Sequence, residues 1–205
     1  MVNEFELNEN IAFEANEPIA LFNEWLKKAQ GMELVNPNAC AVATADKSGK
    51  PSVRMVLLKS IDDRGFVFYT NSESQKGQEL LDNPRASLCF YWKSLSRQVR
   101  VDGSVEKVTI QESDAYFESR ARSSKIGAWA SKQSRVLEDQ FELQKRIAQF
   151  TGKFNIDKVP RPEFWEGYRV KHEKVEFWAE KSFRLHDRFV YVRTEEGWQT
   201  ERLYP

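Results

Sequence analysis

The chain has 205 residues, with 31 lysines and arginines balanced by 31 aspartates and glutamates, so its formal net charge is zero. A balanced charge provides no global field to attract nucleic acid or an anionic membrane, so any anion site must be a local cluster. The length favours a single domain, and no apolar run approaches the length that spans a bilayer.

The few cysteines and histidines limit the chemistry further. Cys40 and Cys89 lie in apolar runs, which indicates core thiols in a reducing cytoplasm and not a disulfide or a nucleophile. His172 and His186 have no Cys or His partners at ligand spacing, so we expect no metal site. The 14 phenylalanines and six tryptophans predict a large aromatic core, with some rings left to stack on a flat ligand.

The first half of the chain predicts one helix followed by strands. Residues 1–18 are acidic and polar and predict a flexible arm ahead of a single domain at 19–205. Pro18 opens a helix with an apolar face that should end at Gly31. A short helix is expected between Asn71 and Pro84. Strands are predicted at 40–44, 52–60, 65–70, 86–92 and 97–108.

The second half predicts two more helices and a return to strands. Thr109 and Glu112 are spaced as a capping box, so a helix should begin there and continue through Arg120. A further helix is predicted at about 134–150, and strands at 168–179, 183–193 and 198–203. Short strands joined by hairpin turns favour an antiparallel barrel over a parallel βαβ sheet. Neither common Gly-rich phosphate loop is present.

The segment Arg184-Leu185-His186-Asp187-Arg188 is the most informative candidate site. In a strand, Arg184, His186 and Arg188 would project to one face. Two guanidinium groups beside an imidazole repel one another unless an anion lies in front of them, and a phosphorylated ligand would serve. The alternative is a solvated strand edge on which Asp187 neutralises one arginine.

Arg54 and Lys59 mark the two ends of an apolar strand. A spacing of five places them on opposite faces of a regular strand. They are either solvated strand ends or members of one site, which would then need a bulge, a strong twist or two adjoining pockets.

Three further groups of polar residues have the same ambiguity. Tyr116, Arg120 and Ser124 share one face of a continuous helix and could bind a phosphate, or could form an ordinary polar face. Gln98 and Arg100 could bond the edge of a heterocycle, or could simply be solvated. Gln133-Ser134 is equally open, because Ser134 could act only as a helix N-cap.

Taken in chain order, these motifs resemble the pyridoxamine 5′-phosphate oxidase family. The resemblance extends from about Ala39 to Pro205. The matching runs are Arg-Met-Val-Leu-Leu-Lys (54–59), Phe-Tyr-Thr-Asn (68–71), Ser-x-Lys-Gly (74–77), Arg-Gln-Val-Arg-Val-x-Gly (97–103), Tyr-Phe-x-Ser-Arg (116–120), Ile-Gly-Ala-Trp-Ala-Ser-x-Gln-Ser (126–134), Glu-Phe-Trp (176–178) and Arg-Leu-His-Asp-Arg (184–188).

The resemblance implies a mainly β, α+β fold: an antiparallel Greek-key FMN-binding split β-barrel with flanking helices, acting as a homodimer with FMN at the subunit interface. It implies oxidation of pyridoxamine 5′-phosphate or pyridoxine 5′-phosphate to pyridoxal 5′-phosphate, with O2 reduced to H2O2, in vitamin B6 biosynthesis or salvage. The implied flavin contacts are Arg54, Met55, Val56, Leu57, Leu58, Lys59, Tyr69, Thr70, Lys76, Gln98, Gln133, Ser134, Trp178 and Arg188. The implied substrate contacts are Lys59, Tyr116, Arg120, Ser124, Arg184, Leu185 and His186, of which Arg184 and His186 form the catalytic pair, contributed by the other subunit.

The chain departs from the family pattern in several places. The basic and aromatic N-terminal segment is not recognisable in residues 1–18, and Gln75 replaces an arginine. Ala121 replaces a proline, which would let the helix continue past Arg120. Glu166 and the pair Ala179-Glu180 stand where the family has glycine-containing pairs. Two other interpretations remain open: another split-barrel flavoprotein, such as a flavin reductase or an oxidase of a different phosphorylated amine, and a non-catalytic pyridoxal-phosphate binding or delivery protein.

Overall fold

The computed structural model describes residues 17–205. The arm predicted at 1–18 lies outside the described residues except for its last two, and Pro18 already begins the first helix. That helix ends at Met32, one residue beyond the predicted stop at Gly31. Its buried face packs Phe22 and Trp25 into the core.

Residues 17–205 form five α-helices and ten strands. None of these helices is long and apolar enough to cross a lipid bilayer. In chain order the elements are α1 (Pro18–Met32), β1 (Ala39–Ala45), β2 (Pro51–Leu57), β3 (Ser60–Asp62), β4 (Gly65–Asn71), α2 (Gln75–Asp82), β5 (Arg85–Trp92), β6 (Arg97–Lys107), α3 (Ile110–Ser119), α4 (Arg122–Ala130), α5 (Glu142–Phe154), β7 (Trp165–Val170), β8 (Lys174–Ala179), β9 (Asp187–Thr194) and β10 (Gly197–Leu203).

The strands of this region pair antiparallel and curl into a half-open barrel. One path of neighbours runs β10-β9-β8-β6-β5-β1-β2, and a second leaves the end of β6 through β7 and β4 to β3. Rings of α1 and the strands fill the interior, with the Phe22 centroid 4.9 Å from those of both Phe66 and Phe90. The predicted antiparallel split barrel with flanking helices is confirmed.

Strand β6 can pair with both β7 and β8 because the chain turns opposite Gly103. Backbone bonds from Lys171 to Ser104 and from Glu173 to Asp102 flank this turn. A Cβ atom on Gly103 would overlap the carbonyl oxygen of Lys171, so only glycine fits. The predicted continuous strand 168–179 is therefore wrong, and two strands stand in its place.

The predicted strand 52–60 is also broken. β2 ends at Leu57, and the side-chain amide of Asn38 and its backbone carbonyl both bond the backbone of Leu58. The amide of Lys59 then donates to Val67 of β4. The chain thus leaves β1 for β4 between Arg54 and Lys59, and this crossing separates the two cations.

The helix predictions are correct at the start of α3 and wrong beyond its end. Thr109 and Glu112 form the predicted capping box. The helix ends at Ser119 because Arg120 and Ala121 are extended, with ψ of 151° and 143°. α4 then packs Ile126 into a separate apolar cluster. The helix predicted at 134–150 is displaced, since α5 begins only at Glu142.

The register assigns each strand residue to one face of the sheet, because directly opposed residues share a face. The inner face includes Arg54, opposite the buried Val42 of β1. The outer face includes Met55, opposite Ala41, and continues across β5 and β6. Residues on this outer face include Val53, Met55, Tyr91, Gln98, Arg100, Glu176, Trp178 and Arg188.

Candidate functional site

One cationic cluster surrounds Lys76 at the start of α2. The Lys76 ammonium donates to Thr70 Oγ1 at 3.0 Å and to Gln133 Oε1 at 3.3 Å. Lys76 is 7% exposed, and its burial, together with the charge of Arg54, lowers its pKa. Both acceptors are neutral, and no carboxylate of residues 17–205 lies within salt-bridge distance of this ammonium group. The Lys76 cluster therefore has an unneutralised cation.

Arg54 lies beside the Lys76 cluster and is held by a carboxylate. Its guanidinium donates to the hydroxyls of Thr44 and Ser52 and lies 3.3 Å from Glu79. Burial raises the pKa of Glu79, but hydrogen bonds from Ser52, Thr44 and Gln75 and the charge of Arg54 outweigh it and lower the pKa. Two cations and one carboxylate leave a net positive charge where an anion could bind.

A second cationic cluster is centred on Arg120. The Tyr69 ring lies nearly parallel to Tyr116, with centroids 4.2 Å apart, and to Trp165, with centroids 5.0 Å apart. The Arg120 Cζ atom lies 4.9 Å from the centroid of Trp165. Lys59 Nζ lies 5.8 Å from the ring centroid of Tyr116. The Arg120 cluster thus combines two cations and a phenol, held by stacked rings.

Arg120 has a nitrogen atom without a partner. Its Nη1 is buried and makes no hydrogen bond within the described part of the chain. Burial also lowers the pKa of the guanidinium. A buried donor without an acceptor is costly, so this atom is the feature of the cluster that most directly indicates an anion-binding site.

A third group, the Trp178 row, lies on the outer face of the sheet. The register aligns Gln98 with Trp178 and Trp178 with Arg188 across three adjacent strands. Arg188 Nε donates to Glu176 at 2.8 Å, and its Nη1 donates to the carbonyl of Tyr204 at 3.0 Å. Glu176 is almost fully buried and fixes the orientation of Arg188.

The Arg184–Arg188 segment is not the predicted strand. β9 begins at Asp187, and Phe183 and Arg184 have φ of 59° and 62°. The predicted alignment of Arg184, His186 and Arg188 on one face is therefore wrong. The loop is closed by an ion pair of 2.6 Å between Lys181 and Asp187. Arg184 lies exposed at its tip.

His186 lies at the edge of the Trp178 row. Its Nδ1 accepts a hydrogen bond of 3.2 Å from the backbone amide of Lys181. Its ring centroid lies 4.6 Å from that of Trp178. In the neutral imidazole this arrangement leaves the proton on Nε2, which is then the nitrogen able to donate to a ligand.

The Lys76 cluster and the Trp178 row lie apart within one chain. Arg54 is on the inner face of β2, whereas Trp178 is on the outer face of β8. Three strands separate them, which is about 19 Å along the sheet at the usual strand spacing. A single protomer therefore does not place both groups around one small ligand.

The other predicted site residues are dispersed. Ser124 is exposed on α4, beyond the break that separates it from Tyr116. Ser134 is no helix N-cap, because it lies in a loop with φ of 70°. Met55 is on the outer face, Val56 is on the inner face, Leu57 ends β2, Leu58 is buried at the crossing, and Leu185 is exposed in the loop before β9.

Three residues of these clusters were missed by the sequence reasoning. Glu79 holds Arg54, Glu176 holds Arg188, and Trp165 lies under Arg120. One signal for Trp165 was present, because the tripeptide Glu-Phe-Trp occurs at 163–165 as well as at 176–178. Nothing local marks Glu79, since its partner Arg54 is distant in sequence, whereas Glu176 lies in the quoted run Glu-Phe-Trp but was given no role of its own. Within residues 17–205, no three His, Cys, Asp or Glu side chains are grouped to hold a metal ion.

Comparisons with known proteins match almost the whole chain. Residues 26–154 match the family described as pyridoxamine 5′-phosphate oxidase, and residues 165–205 match the pyridoxine 5′-phosphate oxidase C-terminal dimerisation region. The pyridoxine/pyridoxamine 5′-phosphate oxidase of Agrobacterium fabrum is 57% identical over 194 residues, covering 94% of each chain. The protein of the same name from Bartonella quintana is 52% identical over the full length of both.

Two solved structures are similar to this chain in fold. PhzG from Burkholderia lata 383, crystallised with tetrahydrophenazine-1-carboxylic acid, has a TM-score of 0.89 at 35% identity and covers 94% of this chain and 95% of its own. An FMN-binding protein from Nostoc punctiforme shares the fold, with a TM-score of 0.71 at 14% identity over 91% of this chain and 96% of its own.

The split barrel and these matches together define an oxidoreductase of the flavin-dependent class. Both cationic clusters, around Lys76 and Arg120, lie within the residues 26–154 that match the family. The chain belongs to the pyridoxamine 5′-phosphate oxidase family.

Proposed function

We propose that this protein is an FMN-dependent oxidase that converts pyridoxamine 5′-phosphate and pyridoxine 5′-phosphate to pyridoxal 5′-phosphate, with O2 as acceptor and H2O2 as by-product, in vitamin B6 biosynthesis or salvage. The observation that carries the proposal is the pair of cationic clusters, around Lys76 and Arg120, in a chain of this family. Two clusters suit two phosphorylated ligands. The curated relatives with more than half of their residues identical are named for both substrates.

The Lys76 cluster fits the phosphate of FMN. Lys76 has an unneutralised charge, the guanidinium of Arg54 adds donors beside it, and Thr70 and Gln133 orient the Lys76 ammonium by accepting hydrogen bonds from it. Bound FMN would supply a two-electron acceptor that O2 can reoxidise. The proposed flavin set is completed by Met55, Val56, Leu57, Leu58, Lys59, Tyr69 and Ser134 from the same protomer.

The Arg120 cluster fits the substrate phosphate. The unpartnered Nη1 of Arg120 would donate to it, with the Tyr116 hydroxyl and the Lys59 ammonium on the neighbouring side. Ser124 would have to reach the same phosphate from the first turns of α4. Burial of the Arg120 Nη1 atom would strengthen its charge-assisted bond by excluding water.

Arg184 and His186 are the proposed catalytic pair. The guanidinium of Arg184 would cover the substrate ring, and Leu185 would lie against it. His186 would hold a ring substituent through its Nε2 proton, because its Nδ1 is occupied by Lys181. These residues orient the substrate carbon that is oxidised, which is the contribution that positioning makes to such a reaction.

The proposed site is shared between two copies of the chain. Gln98, Trp178, Arg188 and the catalytic pair would come from the second copy, because one protomer holds them far from the Lys76 cluster. On the outer face, Val53 is 67% and Met55 66% exposed, which is apolar surface that a homodimer would bury. The matched C-terminal dimerisation region supports the same assembly.

We also propose that the protein works in the cytoplasm. Cys40 and Cys89 are both free. Burial raises the pKa of the Cys40 thiol to about 12, and the nearby Cys89 contributes to the same shift. A thiol with so high a pKa stays protonated and unreactive. Free thiols of this kind suit a reducing compartment.

Anaerobic mixing with pyridoxamine 5′-phosphate tests the proposal. The FMN-loaded protein should lose its flavin absorbance band, and admission of O2 should restore the band with one H2O2 formed per turnover. A colourless protein that cannot be reconstituted with FMN would contradict it. A flavoprotein of different specificity would bind FMN but show no bleaching with either phosphate, and tetrahydrophenazine-1-carboxylic acid should be tried as the alternative substrate. A delivery protein would bind pyridoxal 5′-phosphate while its flavin stayed oxidised.

A further inference from the structure

We propose that Trp165 is a positioning residue that gives this site its selectivity for a phosphorylated substrate, because its indole holds the guanidinium of Arg120 in place of a carboxylate. The inference rests on the proposed function and deepens it by assigning selectivity to a residue outside the proposed substrate contacts.

The first observation concerns how Arg120 is held. It follows the last residue of α3, with an extended backbone, and its amide bonds the carbonyl of Phe117. Its Cζ atom lies 4.9 Å from the Trp165 centroid and 5.5 Å from that of Phe117. Within residues 17–205 no carboxylate pairs with it, and its Nη1 has no acceptor. Aromatic rings are thus the neighbours that orient this cation.

The second observation is that Trp165 is buried and packed between other rings. It is 7% exposed at the start of β7, and its backbone is bonded at both the amide, to Pro162, and the carbonyl, by Arg161. The Tyr69 ring lies within 8° of parallel to the indole, and the Phe117 ring meets it edge-on at 70°. The indole therefore cannot turn away from Arg120 without disturbing the core.

The third observation is that the same indole also supports Tyr116. The Tyr69 ring is stacked on both Trp165 and Tyr116, and the Tyr116 and Trp165 rings lie within 15° of parallel with their centroids 6.0 Å apart. Two of the proposed phosphate donors, Arg120 and Tyr116, are therefore positioned by one side chain. Displacement of the indole would disturb both.

The chemistry of the indole explains why this arrangement suits phosphate. An aromatic face attracts a guanidinium but offers no in-plane acceptor, so the N–H groups stay available for an incoming anion. A carboxylate in the same place would use those donors and neutralise the charge. By contrast, Glu79 holds Arg54 and Glu176 holds Arg188, so among these three guanidinium groups the one on Trp165 is kept available for a dianion through its Nη1 atom.

The test measures binding of FMN-loaded protein to 4-deoxypyridoxine 5′-phosphate and to 4-deoxypyridoxine by calorimetry. Neither compound can be oxidised at the 4-position, so binding is separated from turnover. The readout is the ratio of the two affinities, which a merely structural role would leave unchanged. We expect Trp165→Leu to lower the ratio about tenfold and Trp165→Phe, which keeps a weaker ring, about two- to threefold.

Trp198 provides the matched control. Arg193 Cζ lies 4.8 Å from its centroid, so Trp198→Leu removes a similar guanidinium–indole contact elsewhere in the molecule. This variant should leave the ratio unchanged, and all variants should retain FMN. If Trp165→Leu does not fold, the inference is tested with Trp165→Phe, through the same ratio of affinities for the phosphorylated and unphosphorylated compounds.

An unchanged ratio in the Trp165 variants, or an equal loss of affinity for both compounds, would overturn the inference. So would a wild-type protein without preference for the phosphorylated compound. If the wild type shows the preference and the variants lose it, but no oxidation occurs with either vitamin B6 phosphate, the inference stands and the proposed oxidase function fails.

Discussion

At the scale of single residues, three of the arginines of the proposed site, Arg54, Arg120 and Arg188, differ in the side chain that holds each of them in place. Arg54 and Arg188 are each held by a buried glutamate, whereas Arg120 lies over an indole and has a free Nη1. A carboxylate partner lowers the net charge that a ligand meets, while an aromatic partner does not. The three groups should therefore differ in how strongly they bind an added phosphate.

If the Arg120 cluster binds the substrate phosphate and the Lys76 cluster binds the FMN phosphate, substitutions in the two clusters should weaken different ligands. Arg120→Ala should raise the KM for pyridoxamine 5′-phosphate by about 10- to 100-fold, the cost of a charge-assisted hydrogen bond, with little change in FMN affinity. Arg54→Ala should weaken FMN, measured by quenching of flavin fluorescence, and change the KM of the FMN-saturated enzyme much less. Arg122→Ala is the control, because Arg122 bonds only backbone carbonyls near Asn155 in residues 17–205. Equal effects of the first two variants on both quantities would contradict the assignment.

At the scale of elements, the N-terminus of α3 is fixed by Glu112. The backbone amide of Thr109 is the largest of the causes that lower the pKa of this carboxyl to about 2, and Arg169 at 2.7 Å adds to it against the opposing effect of burial. A folded pKa below the usual value of about 4.5 means that ionised Glu112 stabilises the fold above pH 4.5. This stabilisation is lost as the pH falls towards 2.

Glu112→Gln keeps the size of the side chain and removes its charge. We expect the free energy of unfolding to fall by on the order of 2 kcal/mol at pH 7, because the bonds to Arg169 lose their charge assistance. The difference from wild type should shrink between pH 4.5 and pH 2, as followed by urea unfolding. Glu118→Gln, at an exposed ion pair with Lys158, should show little change at any pH. A difference for Glu112→Gln that stayed constant with pH would argue against the carboxylate.

Elements set by local signals could be predicted from sequence, and those set by distant partners could not. The capping box at Thr109 and the hairpin strands follow from short-range chemistry, and the structure contains them. The break after Arg120 was missed because Ala121 favours a helix. It occurs because α3 packs Phe117 against Trp165 whereas α4 packs Ile126 against another cluster, so tertiary packing overrides local preference. The break at Leu58 likewise depends on Asn38, 20 residues earlier.

At the scale of the whole molecule, the outer face of the sheet joins the proposed site to the proposed assembly. The Trp178 row lies on this face together with the exposed side chains of Val53 and Tyr91. The sequence motifs predicted the residues of both halves of the proposed site. They could not show that the halves lie on opposite faces, because a face is decided by strand register, which is a long-range property.

A charge introduced on this face should therefore weaken both dimer formation and FMN binding. Val53→Glu should shift the protein towards monomer in sedimentation experiments, since an isolated carboxylate is costly to bury. FMN affinity should then depend on protein concentration, although Val53 is outside the proposed flavin contacts. Leu34→Glu, a similar change at an exposed residue beyond α1, should behave as wild type. A monomer that retained full FMN affinity would contradict a shared site.

The adjacent residues Tyr69 and Thr70 limit which substitutions and register changes this molecule can accept. Their side chains leave β4 in opposite directions, one into the stacked rings and one to Lys76, from Cα atoms about 3.8 Å apart. A shift of β4 by one residue along β7 would exchange the two directions. Such a change of register would remove Tyr69 from the stacked rings and Thr70 from Lys76 at the same time. The distance between the Lys76 cluster and the Arg120 cluster is therefore fixed by the backbone of β4. Substitutions of their side chains can alter how strongly each cluster binds an anion but not how far apart the clusters lie.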